Sequence, residues 1–266
     1  VSVEFSIADV ARGIYDIDRI GIKEGMINLL TDTSGNINYD IYVENPSGEK
    51  GSNFLLNLDG INLSGMSASY DDRYIDLLLR GYVENGRMKS RITASKIDFR
   101  ADGGLRIDYF RLQNYTVSRS ILSEVDLDLV RDSGGFLFNE STLRLDKYLI
   151  SMKGSISAEN VMDLTLDGKE IDLSYIRSFL PDSLRAKVED YDPSGVLNAR
   201  GTIKGLSSSA SDPAVTIDFD LGKGNVVYRK SPVRIRDLSF KGSFISGSRK
   251  NSTKGSLSVD NFIGTL

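Results

Sequence analysis

Apolar and polar residues alternate along most of the chain, which is the pattern of β-strands with one dry face. The alternation is clearest over 215–221, where Val215, Ile217, Phe219 and Leu221 are separated by polar residues. Turns rich in Gly, Asp, Asn and Ser separate the strands at intervals of roughly 8–12 residues. This rhythm predicts an all-β fold, in which an elongated, twisted antiparallel sheet is curled into a groove or packed as a sandwich.

One short helical insert is predicted near 174–190, where the alternation stops. Five apolar residues recur there at a spacing of three to four, which puts them on one side of a helix. They are Ile176, Phe179, Leu180, Leu184 and Val188. Ser174 is suited to cap the start, and Pro181 favours two short helical pieces because proline lacks the N–H that a helix needs. We expect this helical plug to cover one end of the apolar face of the sheet.

The domain organisation is predicted as two β modules. A break in the alternation at 113–120 divides residues 1–118 from residues 119–266, and the helical insert falls in the second module. The strands share a rhythm of strand and turn without a repeat of fixed length. We therefore expect two modules of the same class, and no array of identical repeats.

Composition narrows the chemistry that the chain can carry. The fractions of hydrophobic (40%) and charged (26%) residues are those of a folded protein, and the net charge is -4. Lys and Arg are scattered and form no basic block, so nucleic acid is not expected as a partner. The chain has no cysteine and no histidine, which removes disulfides, thiolate metal sites and the commonest general base. We predict no catalytic residue, no metal site and no cofactor.

Paired acids are the feature closest to a catalytic or calcium-binding motif. They lie two or four residues apart, opposite the apolar positions of their strands, where a strand keeps its solvated charges. The pairs are Asp126 with Asp128, Asp163 with Asp167, and Asp218 with Asp220. A solvated strand face explains them better than glycan hydrolysis does.

The extensive apolar face is the main candidate for function, and the alternation leaves two interpretations open. It could be the closed core between two packed sheets, or the inner surface of an open trough that holds lipid chains, since both need the same residues. The positions expected to line the trough are Phe136, Phe138, Ile150, Met152, Ile156, Leu164, Leu166, Val215, Ile217, Phe219 and Leu221.

A succession of motifs around the helical insert bears on this choice. An Asp/Leu strand and a helix with Phe-Leu-Pro come first, then Asp-x-x-Gly-x-Leu-x-x-x-Gly-x-x-x-Gly, Val-x-Ile-x-Phe-x-Leu and Gly-Asn-Val-Val-Tyr. This order resembles the AsmA-like family of bacterial envelope proteins, in particular its Bacteroidetes-type members. The matching stretches are Met162 to Leu166, Asp172 to Leu180, Ser194 to Gly205, Val215 to Leu221, Gly224 to Tyr228 and Pro232 to Phe240. Ile20 to Asp32 is similar to a recurrent element of the family.

The resemblance implies a periplasmic β structure with an apolar groove, anchored in the inner membrane by an N-terminal helix. Expected partners are a phospholipid or another envelope lipid and proteins of outer-membrane assembly. The chain begins at Val1 and has no apolar run of the roughly 20 residues that cross a bilayer, so we expect either a fragment of a longer protein or a mature portion whose targeting segment is gone, with the anchor in a part not present. The expected function is non-enzymatic lipid holding or conduction. The alternative is a structural or adhesive β module that binds a protein or glycan through its polar face.

Overall fold

The computed structural model describes residues 2–5, 14–38, 55–93, 95–112, 115–177, 186, 188–208, 210–231, 233–248 and 254–266. Strands make up most of these residues, with one short helix. The predicted all-β fold class with a short helical insert is therefore confirmed. Contacts between residues divide the chain into two compact units.

Unit 1 comprises Val1–Ser133 together with Leu143–Asp146. Its strands are β1 (Ser2–Phe5), β2 (Ile14–Thr31), β3 (Leu55–Asp72), β4 (Leu77–Thr93), β5 (Lys96–Leu112), β6 (Tyr115–Val117) and β7 (Ile121–Asp132). They are ordered β1-β2-β3-β4-β5-β7, and β6 pairs with β5. The register aligns Ile22, Leu63, Gly86 and Gly103 across β2 to β5. The most buried large apolar side chains of unit 1 are Met66, at 3% exposure, and Ile121, at 4%.

One strand pair of unit 1 departs from the predicted antiparallel sheet. β2 and β3 are parallel, with Ile20 opposite Ile61 and Leu29 opposite Tyr70. Beyond the turn at 32–36 the chain is described as far as residue 38, and Ile37 makes a single antiparallel bridge to Thr31. Alternation determines which face a side chain occupies, but it carries no information on strand direction, so the parallel pair could not be read from it.

The division between the units lies later in the chain than the predicted boundary at 118/119. β7 follows that boundary, yet it pairs with β5 along most of its length, from Ile107 opposite Ile121 to Lys96 opposite Asp132. The residues at 118–120 therefore only turn the chain back along the same sheet. The principal division falls between Ser133 and Gly134.

Unit 2 comprises Gly134–Thr142 and Lys147–Leu266. It contains most of β8 (Gly135–Leu145), then β9 (Tyr148–Ser157), β10 (Val161–Asp172), α1 (Leu173–Arg177), β11 (Tyr191–Leu206), β12 (Ala214–Tyr228), β13 (Arg234–Ile245) and β14 (Ser256–Thr265). From β9 to β14 each strand pairs antiparallel with the next one in the chain. Short turns such as that at 158–160 are sufficient to connect such neighbours.

α1 forms the start of the predicted helical plug. Ile176 lies in α1 and Val188 in the turn before β11, and both are half-buried. Phe179, Leu180 and Leu184 lie outside the described residues. The capping residue is Asp172 and not the predicted Ser174, because the Asp172 carboxylate accepts hydrogen bonds from the N–H and the hydroxyl of Ser174. These bonds, chiefly that from the Ser174 side chain, hold the pKa of Asp172 below its ordinary value.

Candidate functional site: the apolar face of unit 2

The apolar face of unit 2 is continuous across six strands, from β9 to β14. In one row, Met152 lies opposite Leu166, which lies opposite Gly201, and Gly201 lies opposite Ile217. The row continues through Phe244 to Leu257. Because side chains alternate between faces along each strand, every second residue in both directions belongs to the same surface.

Most of the predicted trough residues lie together on this surface. The register unites Ile150, Met152, Ile156, Leu164, Leu166, Val215, Ile217, Phe219 and Leu221 on one face. Phe136 and Phe138 lie at alternate positions of β8, whose start adjoins the end of β9 through the bond from Ala158 N–H to the Gly134 carbonyl. Sequence reasoning left out further members of the face, namely Met162, Leu197, Ile203, Phe240, Phe244, Leu257, Val259 and Phe262. Met162 continues the alternation of Leu164 and Leu166, whereas Phe262 follows a bulge of β14 that shifts the alternation.

The side chains of this face are largely half-buried, and the edge strand is open. Leu221 and Leu164 are the best covered at 3% and 8% exposure, whereas Leu257 is 66% exposed and Phe262 61%. None of the described side chains in the protein is less than 2% exposed. Two packed sheets would place such residues in a dry core, so the described residues do not form the interior of a closed sandwich.

The large side chains of the face gain cover from glycines on neighbouring strands. A Cβ atom built at Gly242 would lie only 2.6 Å from Cζ of Phe219, so the ring lies directly over this glycine. Leu221 similarly lies over Gly195 and Gly224, at 3.1 and 3.0 Å from the positions of their missing Cβ atoms. Lateral packing of this kind lets one sheet shield part of its apolar area without a second layer.

The opposite face of unit 2 is polar and carries a ladder of charged pairs. Arg200 Nε lies 2.7 Å from Asp167 Oδ1, and Lys204 Nζ lies 3.3 Å from Asp163 Oδ1. The bond to Asp167 raises the pKa of Arg200. Asp163 and Asp167, one of the acid pairs singled out from the sequence, therefore lie on the solvated face of unit 2, and both form ion pairs across strands.

Asn198 joins three strands on this polar face. Its Oδ1 accepts the Glu170 N–H at 3.0 Å, and its Nδ2 donates to Asp220 Oδ2 at 2.9 Å. Glu170 has a φ of 54° at a bulge of β10, and Lys223 (φ 53°) and Asn261 (φ 53°) stand at bulges of β12 and β14. In the register of the sheet, the three bulges lie within a few residues of one line across the strands. Each bulge increases the local bend and twist of its strand.

Three shallow depressions lie mainly on the polar side, with volumes of about 620, 410 and 510 Å³. The first is lined by residues that include Leu149, Asp167 and Val196. The second lies at the bulges and includes Lys223 and Asn261. Their walls combine charged and amide side chains with apolar ones, which in the second depression are Val196, Leu221, Phe240 and Ile263.

α1 covers one end of the apolar face. Tyr148, which is 6% exposed, has the same parity in β9 as Ile150 and Met152. Its ring lies against that of Tyr175 in α1, with the centroids 4.4 Å apart. The contact is made by Tyr175, which is not among the predicted plug residues, so the prediction that those residues cover an end of the face stays a prediction.

Within the described ranges, no group of three acidic side chains is arranged to hold a metal ion. No helix among those residues has both the length and the apolarity to cross a membrane. Comparison of the chain with protein-family models, with curated proteins and with solved structures finds no match.

Proposed function

We propose that this chain is a non-enzymatic, periplasmic segment of an AsmA-like protein that supports outer-membrane assembly and envelope integrity by holding or conducting lipid. The observation that best supports this proposal is the continuous apolar face from β9 to β14, whose rows pair apolar residues across successive strands. The motifs of 162–240 support the family assignment, which brings with it the inner-membrane anchor. Phospholipid is the lipid class that we expect on the face.

Burial of hydrocarbon supplies the binding free energy in this mechanism. Each CH₂ group removed from water contributes about 0.8 kcal/mol, and the interaction needs no fixed hydrogen-bond partner. Side chains such as the half-buried Ile217 and the exposed Phe244 can exchange water for an acyl chain without unfolding of the sheet. A lipid could therefore bind at one place and slide to the next with little change in free energy.

The direct test is lipid binding by variants with a charge on one face. Ile217→Asp places a carboxylate on the apolar face, and Thr216→Asp places one on the polar face at the next position of β12. Leu257→Asp is a second apolar-face variant, chosen because the side chain is already 66% exposed and tolerates a charge without loss of the fold. Binding of a fluorescent phosphatidylcholine and native mass spectrometry are the measurements.

We expect both apolar-face variants to lose most lipid binding and Thr216→Asp to retain it, with unchanged circular dichroism for Leu257→Asp and Thr216→Asp. Equal binding by Leu257→Asp, Thr216→Asp and the unaltered chain, or no binding by any of them, would refute lipid holding on this face.

The second candidate function is a structural or adhesive module that binds a protein or glycan through the polar face. The three depressions there favour it, because they place charged and amide side chains around concave surface. Substitution of Asp167 and Lys241 would weaken the binding of such a partner and leave lipid binding unchanged. The two candidates are thus separated by the face whose substitution matters.

A further inference from the structure

All four tyrosines of unit 2 lie at the same end of its apolar face. Tyr148 begins β9, Tyr175 lies in α1, Tyr191 begins β11 and Tyr228 ends β12. In an antiparallel sheet the start of one strand adjoins the end of the next, so these positions meet at the α1 end of the face. They form two ring pairs, Tyr148 with Tyr175 at 4.4 Å and Tyr191 with Tyr228 at 5.1 Å between centroids.

Tyrosine suits the boundary between a hydrocarbon layer and a polar layer, because its ring is apolar and its hydroxyl is a hydrogen-bonding group. Tyr191 is 44% exposed, so a ligand on the face can reach it. The opposite end of the face carries no tyrosine, since these four are all that unit 2 contains. The two ends therefore differ in chemistry although the apolar rows between them are alike.

Charged side chains lie next to the tyrosines at the α1 end of the sheet, where Asp192 follows Tyr191 on β11 and therefore has the parity of the polar face. Arg229 Nη2 lies 3.4 Å from Asp192 Oδ1, and Arg177 Nη1 lies 3.7 Å from the same oxygen. Lys230 Nζ pairs with Asp190. The side chains of Arg229 and Lys230 are 52% and 66% exposed. A guanidinium has five N–H donors and an ammonium three, so both groups keep donors for an anion after these pairings.

The length of the face matches that of an acyl chain. Ile150 and Ile156 are six residues apart on β9, which corresponds to about 20 Å along the strand at roughly 3.3 Å per residue. One leaflet of a bilayer core is about 15 Å thick, half of the roughly 30 Å of the whole. A chain that starts beside the tyrosines therefore ends on the apolar rows.

We propose that a phospholipid on this face lies with its phosphate at the α1 end, against Arg229 and Lys230, and its acyl chains along β9–β12 toward the other end. Tyr191 and Tyr228 adjoin the ester region. The inference rests on the proposed lipid-holding function and adds an orientation and a headgroup site to it. Asp190 and Asp192 are positioning residues, because they hold the two cations at the end of the face.

Photo-crosslinking of the full chain tests the orientation. Two phosphatidylcholine probes are used, one with a diazirine on the headgroup and one with a diazirine at the end of an acyl chain, and labelled peptides are identified by mass spectrometry. We expect the headgroup probe to label 188–192 and 228–231, and the acyl probe to label 154–156 and 215–217. Headgroup labelling at 158–160 and 207–213, or at both ends equally, overturns the orientation but leaves lipid holding intact. Absence of labelling by either probe on the face overturns both.

Charge removal provides a second and independent measurement. In the double variant Arg229→Gln with Lys230→Gln, affinity for phosphatidylcholine should fall about tenfold, which is the loss of one charge-assisted hydrogen bond. Affinity for diacylglycerol of the same chain length should change less than about twofold, because it has no phosphate. Lys204→Gln with Lys241→Gln on the polar face is the matched control and should leave both affinities unchanged. Equal losses for the two lipids, or none for phosphatidylcholine, contradict a phosphate site.

Discussion

Tyr175 of α1 packs on Tyr148 of β9, with the ring planes inclined at 45° and the centroids 4.4 Å apart. Tyr148 is among the most buried apolar residues of the chain, whereas the rows beyond it are only half-covered. The helix thus supplies a second layer at this end of the sheet. Lys147 adds to the packing, since its ammonium lies 5.1 Å from the centroid of the Tyr148 ring.

Removal of the Tyr175 ring should loosen α1 from the sheet. Tyr175→Ala is expected to lower the free energy of unfolding by about 2–4 kcal/mol, somewhat less than a fully buried aromatic residue, because Tyr175 is half-buried. Tyr175→Phe keeps the ring and should cost less than about 1 kcal/mol. Urea denaturation measures both values. A similar loss in the two variants would mean that the hydroxyl, and not the ring pair, holds the helix.

Asn198 should matter more to stability than the ion pairs beside it. Asn198→Ala leaves the Glu170 N–H at the bulge without its acceptor and removes a hydrogen-bond donor to Asp220. Together these losses should lower the free energy of unfolding by about 1–3 kcal/mol. Arg200→Ala removes an exposed cation from Asp167 and should cost less than about 1 kcal/mol. Unfolding in urea at low and high salt compares them. Only the Arg200 effect should shrink with salt, and the reverse order of costs would contradict this account.

Two glycines of neighbouring strands provide a test of the lateral packing on the apolar face. Gly242→Ala would bring a methyl group within 2.6 Å of both the Phe219 ring and the Ser258 carbonyl oxygen, so a loss of about 1–3 kcal/mol is expected. Gly222→Ala meets no atom within 4 Å and should be nearly neutral. Thermal unfolding of both variants is the measurement. Similar melting temperatures would show that the Phe219 ring moves aside without cost.

The sequence predicted the faces of the strands well because alternation follows directly from strand geometry. Ile217 and Leu166 could be assigned to one surface without knowledge of the pairing that lies between them. The parallel pairing of β2 with β3 and the continuation of unit 1 through β7 could not be predicted, since both depend on contacts distant in sequence. The bulge at Glu170 could not be predicted either, because nothing in the local sequence indicates a positive φ at a glutamate. The capping of α1 by Asp172 was missed because Ser174 suits the same role.

Acidification should weaken the start of α1 through Asp172. Hydrogen bonds from Ser174 hold the pKa of this carboxyl below its ordinary value of 3.8, so the ionised form favours the folded state. A carboxyl with a lowered pKa contributes stability that is complete above this ordinary value, which applies to the unfolded chain, and is lost as pH falls through the folded pKa. The contribution of Asp172 should therefore be constant from neutral pH to about pH 5 and decline below about pH 4.

Asp172→Asn separates this titration from the general effect of acid. Asparagine caps a helix about as well as aspartate, so at pH 7 the variant should unfold within about 0.5 kcal/mol of the unaltered chain. Between pH 5 and pH 3 it should lose less stability, because its capping group does not protonate. Asp163→Asn, at an exposed position on the polar face of the same strand, is the control. The measurements are urea denaturation at each pH and hydrogen exchange of the amides of Leu173–Arg177. An identical acid response in Asp172→Asn and the unaltered chain would show that the Ser174 bonds do not couple protonation to the helix.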